Sequence, residues 1–473
     1  MNRRTFHRRL LGMAAGSVGC NLLAHGLGGY EPNWDSLGAH RVPEWFSGAK
    51  LGIFIHWGLY SVPAWAPTSG EYGKLPASRW FTENPYAEWY LNSLRIAGSP
   101  TSKHHLETYG KDFDYYDFMP MFNRGVEHWD PAVWARLFHL VGARYVVLTT
   151  KHHDGFTLWP SQVQNPKRAG RMSASRDLVG NLASAVRSEG MKMGLYYSGG
   201  LDWTFTTEPI LSRADLRARM PQSQEYAWYV DAHWRELIER YQPAVMWNDI
   251  GYPTAGEIPQ LFAEYYNTVP DGAINNRFGV PFSDYTTPEY SSYKTIVEKK
   301  WEACRGLGFS FGYNQAEGPA QVIAPDKLIA LLIDIVSNNG NLLLNIGPKA
   351  DGSISDIQLD RLQKLGDWLE VNGEGIFDSR PWARPASAPG VGPDVRYTQK
   401  AGALYAYLLS PPMGEQVALP GITAAEGTAV RVLGAAADSA WKQDDASLVV
   451  NVGRIERAPH AMGIRITPIP KAV

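Results

Sequence analysis

The chain is expected to fold as a (β/α)8-type barrel followed by a small C-terminal antiparallel β-sandwich. Three observations carry that reading. Short apolar runs alternate with longer segments of helical period, the signature of parallel strands joined by crossover helices. Polar residues gather where those runs end, as they do at the C-terminal mouth of such a barrel. Near residue 383 the texture changes to brief strand-like runs separated by turn signals. A doubly wound open sheet is the competing architecture, but no Gly-rich phosphate fingerprint follows the first strand.

The elements follow in chain order. "NRRTFHRRLLGMAAGSVGCNLLAHG" opens with basic residues and continues into an apolar, small-residue run too short and Gly-rich for a membrane span. Its Arg3-Arg4 pair with Phe6 resembles a bacterial twin-arginine export signal, so residues 1–29 are set apart as a signal and the mature protein is expected in the periplasm or secreted. Lipid anchoring at Cys20 is the lesser alternative, because Ser17 stands where a lipoprotein box has a larger aliphatic residue. "LGIFIHWG" at 51–58 reads as the first strand. "DPAVWARLFHLVGA" has helical spacing with Asp130 as N-cap and Pro131 in the first turn. Strands follow at 143–156, 191–198 ("MKMGLYYS"), 244–249 ("AVMWND"), 272–278 ("GAINNRF") and 340–348 ("GNLLLNIGP"), with helices near 178–189, 224–241 and 326–337. Long loops at 59–87 and 199–222 follow two of these strands. The barrel is assigned to 30–382 and the sandwich to 383–473, joined through the connector "RPWARPASAPGVGPD", which an amphipathic helix ended by Gly373 precedes.

Composition narrows the function. A hydrophobic fraction of 44% and a charged fraction of 19% describe a globular protein. Without the signal the chain loses four arginines and no acid, which takes the net charge from −2 to −6 and argues against nucleic acid. Cys20 and Cys304 are the two cysteines, so neither an internal disulfide nor a Cys-based zinc site is available to the mature chain. Seventeen Trp and 24 Tyr suit a sugar cleft, although the same residues serve as core.

The polar residues at strand ends are His56, His152, His153, Tyr196, Asp249, Arg277 and Asn345. A metal site is the weaker reading of the histidines: adjacent strand residues point to opposite faces, and no tight ligand motif is present. They fit better as hydrogen-bond donors to hydroxyls. No G-x-S-x-G elbow appears and Cys304 has no evident His partner in sequence, so acyl-transfer nucleophiles find little support. Carboxylates remain. Glycoside hydrolysis needs two, a nucleophile and an acid that becomes a base. Asp249, at a strand end beside Trp247, is the best-placed nucleophile, and Glu289, Glu298 and Glu302 are the candidates for the second carboxylate.

The runs "KLGIFIHWGLYSVPAW", "EWY", "YVVLTTKHHDGFTLW", "GLYYSGGLDW", "WND", "WEACRGLGFSFGYN", "NNGNLLLNIGPKADG" and "WLEVNGEGIF" occur in that order across roughly residues 45 to 385. They resemble the α-L-fucosidases of glycoside hydrolase family 29. The resemblance implies an exo-acting retaining enzyme without cofactor or metal, acting on terminal α-L-fucosyl groups of a fucosylated oligosaccharide or glycoconjugate. It implies Asp249 as nucleophile and Glu289, twelve residues after Arg277, as acid/base. It implies a fucose pocket formed by His56, Glu88, Trp89, His152, His153, Tyr196, Arg277 and Phe311. Asn248 before the nucleophile and Ile250 after it depart from the family's usual residues. The alternatives are a non-catalytic sugar-binding protein on the same barrel, and a metal-dependent hydrolase.

Overall fold

The computed structural model describes residues 29–472 apart from 389, 391, 411, 413 and 454–459; the residues expected to form an export signal, Cys20 among them, lie outside the described residues except for Gly29. Seven parallel strands form the first sheet: β1 (Leu51–Ile55), β2 (Tyr145–Lys151), β3 (Lys192–Ser198), β4 (Val245–Asp249), β5 (Ala273–Ile274), β6 (Trp301–Gly306) and β7 (Gly340–Ile346), in the order β5-β4-β3-β2-β1-β7-β6. The two ends of that order, β5 and β6, are linked through one segment. Asn275 bridges Tyr285, and Thr286 bridges Trp301, both in parallel sense. Residues 285–286 therefore stand where an eighth strand closes a barrel, and a further parallel bridge, Glu289 to Cys304, continues the segment along β6.

Burial follows from this arrangement. The strands are almost wholly buried because barrel side chains fill the interior on one face and helices cover the other. Phe54, Tyr145, Val147, Tyr196, Val245, Trp247, Ala273, Tyr285, Cys304 and Leu343 form the inner cluster. In β4 the alternation puts Val245 and Trp247 inside, and Asp249 continues that inward row at the strand's C-terminal end.

The helix ahead of β2 runs Pro131–Val141, with Asp130 accepting from the Ala132 amide at 2.9 Å and Gly142 in the left-handed region at φ 90°. The helices expected near 178, 224 and 326 are Leu178–Ser188, Gln224–Tyr241 and Pro325–Ser337. Several features differ from expectation, three of them in the second half of the barrel. β6 occupies 301–306, where only candidate carboxylates had been marked. A helix Ile258–Thr268, absent from the sequence reading, joins β4 to β5. The 272–278 run yields a two-residue strand and then a 3₁₀ turn, Asn276–Phe278, that carries Arg277 out of the sheet.

The C-terminal part is antiparallel: β8 (Arg380–Ala386), β9 (Val395–Lys400), β10 (Ala403–Leu408), β11 (Gln416–Pro420), β12 (Ile422–Thr423), β13 (Ala429–Val432), β14 (Trp441–Asp444), β15 (Ser447–Asn451), β16 (Met462–Thr467) and β17 (Lys471–Ala472). A five-stranded sheet, β13-β16-β10-β9-β8, and a three-stranded sheet, β11-β15-β14, share one core in which Leu404, Ala406 and Ile464 meet Val417, Leu419, Leu448 and Val450. β8 lies within the stretch read as a connector; its two prolines are tolerated because it is the edge strand of its sheet.

Candidate active site

Asp249 ends β4 at the barrel mouth and is reached by donors from three directions. Its Oδ2 accepts from the Tyr196 hydroxyl at 2.9 Å, and its Oδ1 accepts from Arg277 Nη1 at 2.9 Å and from the Ile250 amide at 3.0 Å. Arg277 is the hub. Its Nη2 donates to Glu289 Oε2 at 3.0 Å and its Nε to Thr287 Oγ1 at 2.9 Å, while the guanidinium lies 4.7 Å from the Trp247 ring centroid. One cation therefore touches both carboxylates, and Tyr86 donates to the other oxygen of Glu289 at 2.8 Å.

Asn248, the residue without an evident purpose in the sequence, fixes this hub. Its side-chain amide donates to the backbone carbonyls of Gly251 at 2.8 Å and Arg277 at 3.2 Å, and the Gly251 amide also donates to Arg277 O at 2.8 Å. An apolar side chain there would leave the part-buried Gly251 carbonyl without this donor and the Arg277 carbonyl with the Gly251 amide alone. The turn also demands room. A Cβ on Gly200 would stand 1.9 Å from Ile250 O, so only glycine lets the post-β3 loop pass.

The histidines lie differently from the sequence argument. β2 ends at Lys151, so His152 and His153 occupy a turn and not a strand; both rings face one cavity, their centroids 3.9 Å apart. His56 Nδ1 meets Asn345 Oδ1 at 2.7 Å, and Asn345 spends its NH2 on Phe311 O at 2.6 Å. His153 Nδ1 meets Ser198 Oγ at 2.6 Å, and that hydroxyl donates to Leu201 O at 2.7 Å. In both cases Nδ1 must carry the proton, which leaves Nε2 as an acceptor. Burial pushes His56 down to about 3 and His152 and His153 well below their usual range, so all three rings are neutral. His56 and His153 are thus set to accept from hydroxyls, a correction to their expected role as donors. His152 Nδ1 is buried with no partner among the described residues.

Glu88, Trp89 and Phe311 complete the wall. Glu88 Oε2 accepts from the Gly312 amide at 2.7 Å and from Ser310 Oγ at 3.2 Å. Trp89 packs edge-on to His153 with centroids 5.5 Å apart, and Phe311 lies 4.9 Å from His56. Burial pushes Glu88 up to about 7, against the lowering pull of those two donors. A carboxyl raised above its ordinary value of 4.5 binds its proton more tightly in the native state. Its contribution to stability is therefore full below about pH 4.5 and lost as pH rises through about 7. Relative to Glu88→Gln, which cannot titrate, the wild-type unfolding free energy is expected to fall by on the order of 3 kcal/mol across that window. Denaturant unfolding of both proteins at several pH values measures the difference; a constant gap would remove Glu88 as the titrating group.

All ten residues singled out from the sequence line this one cavity, whose volume is about 520 Å³. The other two acids do not. Glu298 is exposed, and Glu302 is wholly buried below the floor, accepting from Trp247 Nε1 at 2.9 Å and from the Tyr145 hydroxyl. Burial raises Glu302 to about 7, and its two donors oppose the rise. Sequence reasoning missed Tyr86, which grips Glu289, and Ser198, which orients His153. Tyr86 sits two residues before Glu88 in an aromatic run, the one local signal that could have found it. Among the described residues no three His, Cys, Asp or Glu side chains converge as a metal-ligand set.

The chemistry such a cavity supports is displacement at a carbon bearing a polyhydroxylated group: two carboxylates on one cation, neutral hydroxyl acceptors, and aromatic walls. Comparison with known proteins points the same way. The family model described as Alpha-L-fucosidase matches residues 23–374. The tissue alpha-L-fucosidase of Bos taurus is 34% identical over 428 residues, covering 87% of this chain and 84% of that one. The crystal structure of Thermotoga maritima alpha-fucosidase in complex with fucose shares 42% identity at a TM-score of 0.84, covering 93% of this chain and 100% of that one. The same Thermotoga maritima enzyme in complex with a mechanism based inhibitor gives 42% identity and a TM-score of 0.85 over 93% of this chain and 100% of that one.

Proposed function

The chain belongs to the alpha-L-fucosidase family, and from that premise we propose that it releases terminal α-L-fucosyl residues from glycans by retaining double displacement. It is a glycoside hydrolase with alpha-L-fucosidase activity. Asp249 attacks the anomeric carbon through Oδ2, the oxygen with one protein donor and not two. The bond to the leaving oxygen breaks as Glu289 supplies that oxygen with a proton. Water then adds at the anomeric carbon, gives its proton to Glu289, and frees the Asp249 carboxylate.

The single observation that supports this most is Arg277 spanning Asp249 and Glu289. Retention needs the carboxyl groups roughly 5 to 5.5 Å apart, without room for a water between nucleophile and sugar, and one guanidinium reaching both favours that shorter spacing. In the free enzyme both Glu289 oxygens accept hydrogen bonds, the arrangement suited to the base step. Against a non-catalytic sugar-binding reading stands the same residue, since Glu289 enters the cavity. His56, His152 and His153 would grip ring hydroxyls, Glu88 would take part through its free oxygen, and Trp89 with Phe311 would meet the apolar C5 methyl side. Such a pocket discriminates because a sugar lacking the matching hydroxyls leaves buried polar atoms unpaired.

The N-terminal Arg3-Arg4 pair supports export of the folded enzyme to the periplasm by the twin-arginine route, with residues 1–29 as signal, 30–382 as catalytic barrel and 383–473 as accessory β-domain. Among the described residues no helix is long and apolar enough to cross a membrane. Proton NMR of 4-nitrophenyl α-L-fucoside hydrolysis tests the mechanism. α-L-Fucose is expected as the first-formed anomer, with the β form appearing later by mutarotation. The β form appearing first would overturn double displacement.

A further inference from the structure

The cavity lining is graded from a buried floor to an exposed rim. His56, Glu88, His152, His153 and Tyr196 are buried, whereas Gly73, Ala77, Arg213 and Arg217 are exposed. Charge is graded too. The inner arginine, Arg277, is matched by Asp249 and Glu289. The two rim arginines lie four residues apart on the short helix Arg213–Ala218, so they project from one face, with Leu216 lining the cavity beside them. Among the described residues neither forms an ion pair or a side-chain hydrogen bond, although Arg219 on the same segment comes within 3.9 Å of Glu208. The cavity's lining carboxylates, Glu88, Asp249 and Glu289, all belong to the inner site, and Asp215 on the same helix is engaged by Ser212 and the Leu211 amide, so among the described residues no acid pairs with the two guanidiniums.

We propose that this rim receives the leaving group and favours one that carries a negative charge, a sulfate ester or a carboxylate beside the scissile bond. The proposal rests on reading the inner cavity as the fucosyl site. Tyr72 ties the rim to the leaving-group side. It lines the same cavity, packs edge-on to Trp80 at 5.1 Å, and stacks at 6.5 Å on Tyr86, whose hydroxyl donates to Glu289 at 2.8 Å. A group bonded to the oxygen that Glu289 protonates therefore leaves past Tyr86 and Tyr72 toward the rim, where Arg213 and Arg217 line the same cavity. Two unmatched guanidiniums set a positive potential over that exit, and their planar forks suit sulfate or carboxylate oxygens. Tyr72 and Trp80 supply the apolar face against which a sugar ring packs.

The test uses the full enzyme and three aryl α-L-fucosides: 4-nitrophenyl (neutral), 4-sulfophenyl and 4-carboxyphenyl. Intrinsic leaving-group reactivity differs among them, so the readout is the charged-to-neutral ratio of kcat/KM compared between proteins, which is also insensitive to the fraction of folded enzyme. For wild type that ratio is expected to exceed that of Arg213→Ala/Arg217→Ala by about three- to tenfold, from two exposed ion pairs. High salt should shrink the gap, and Arg213→Glu/Arg217→Glu should push the ratio below that of the alanine variant. A preference for one anionic probe over the other tells a tetrahedral sulfur oxyanion, for which the sulfonate stands in, from a planar carboxylate. Equal ratios in all three proteins would overturn the proposal while leaving the fucosidase reading intact. A wild-type enzyme that does not turn over 4-nitrophenyl α-L-fucoside would instead overturn the reading beneath it.

Discussion

Asp249→Gly is expected to lower kcat on 4-nitrophenyl α-L-fucoside by on the order of 10⁴-fold or more, the usual scale for deleting a covalent nucleophile. The substitution removes the carboxylate to which Tyr196 donates, and it vacates space at the end of β4 without disturbing the inward-facing Val245 and Trp247 beneath. Added azide is small enough to enter that space and to attack the anomeric carbon from the same side. It should partly restore nitrophenol release and yield β-L-fucosyl azide, inverted relative to the substrate. Arg277 would keep its contact with Glu289 and hold the acid in place. Wild-type activity in this variant, or rescue that gives only free fucose, would remove Asp249 from the role of nucleophile.

Glu289→Ala is expected to separate substrates by their leaving groups. 4-Nitrophenolate departs without a proton, so kcat/KM for 4-nitrophenyl α-L-fucoside, which reports the first chemical step, should fall only a few-fold. For a fucosyl disaccharide the alkoxide cannot leave unprotonated, and kcat/KM should drop by roughly 10²- to 10⁴-fold. The same pair of substrates distinguishes the rival acid. Glu302 holds Trp247 and Tyr145 beneath the floor and does not line the cavity. Glu302→Gln should therefore lower both activities in equal proportion, and it should destabilise the fold by about 1 to 3 kcal/mol because one buried donor loses its acceptor. If Glu302→Gln and not Glu289→Ala split the substrates, the acid/base would have to be reassigned.

Much of the barrel was legible because parallel strands buried on both faces are continuous apolar runs. Val245 to Trp247 and Leu342 to Leu344 declare themselves without any knowledge of their neighbours. Illegible elements lacked such a run. β6 is short and holds Glu302 and Arg305 among its six residues. The closing segment at 285–289 makes only isolated bridges and contains Pro288, which cannot donate to a ladder. It carries Glu289 nonetheless, and that is why the acid could be narrowed to three glutamates from residue chemistry but chosen only by resemblance. The histidine pair was misjudged for a related reason. The strand, read over 143–156, was carried beyond Lys151, past the point where it gives way to a turn.

The sequence by itself determined the chemistry available to this protein. It contains a strand that ends in Asp249, histidines at two other strand ends, and no elbow, disulfide or cysteine cluster to serve a different reaction. These are local properties, written in periodicity and residue type within a few positions. Only the tertiary structure decided protonation and pairing, because the partners come from distant parts of the chain. His56 is fixed as an acceptor by Asn345, 289 residues away, and Arg277 joins Asp249 to Glu289 from a turn between them. Tyr86 reaches Glu289 across 203 residues. A hydrogen bond places one proton between two atoms, and which atoms meet depends on how the barrel closes, a fact that no short stretch of sequence contains.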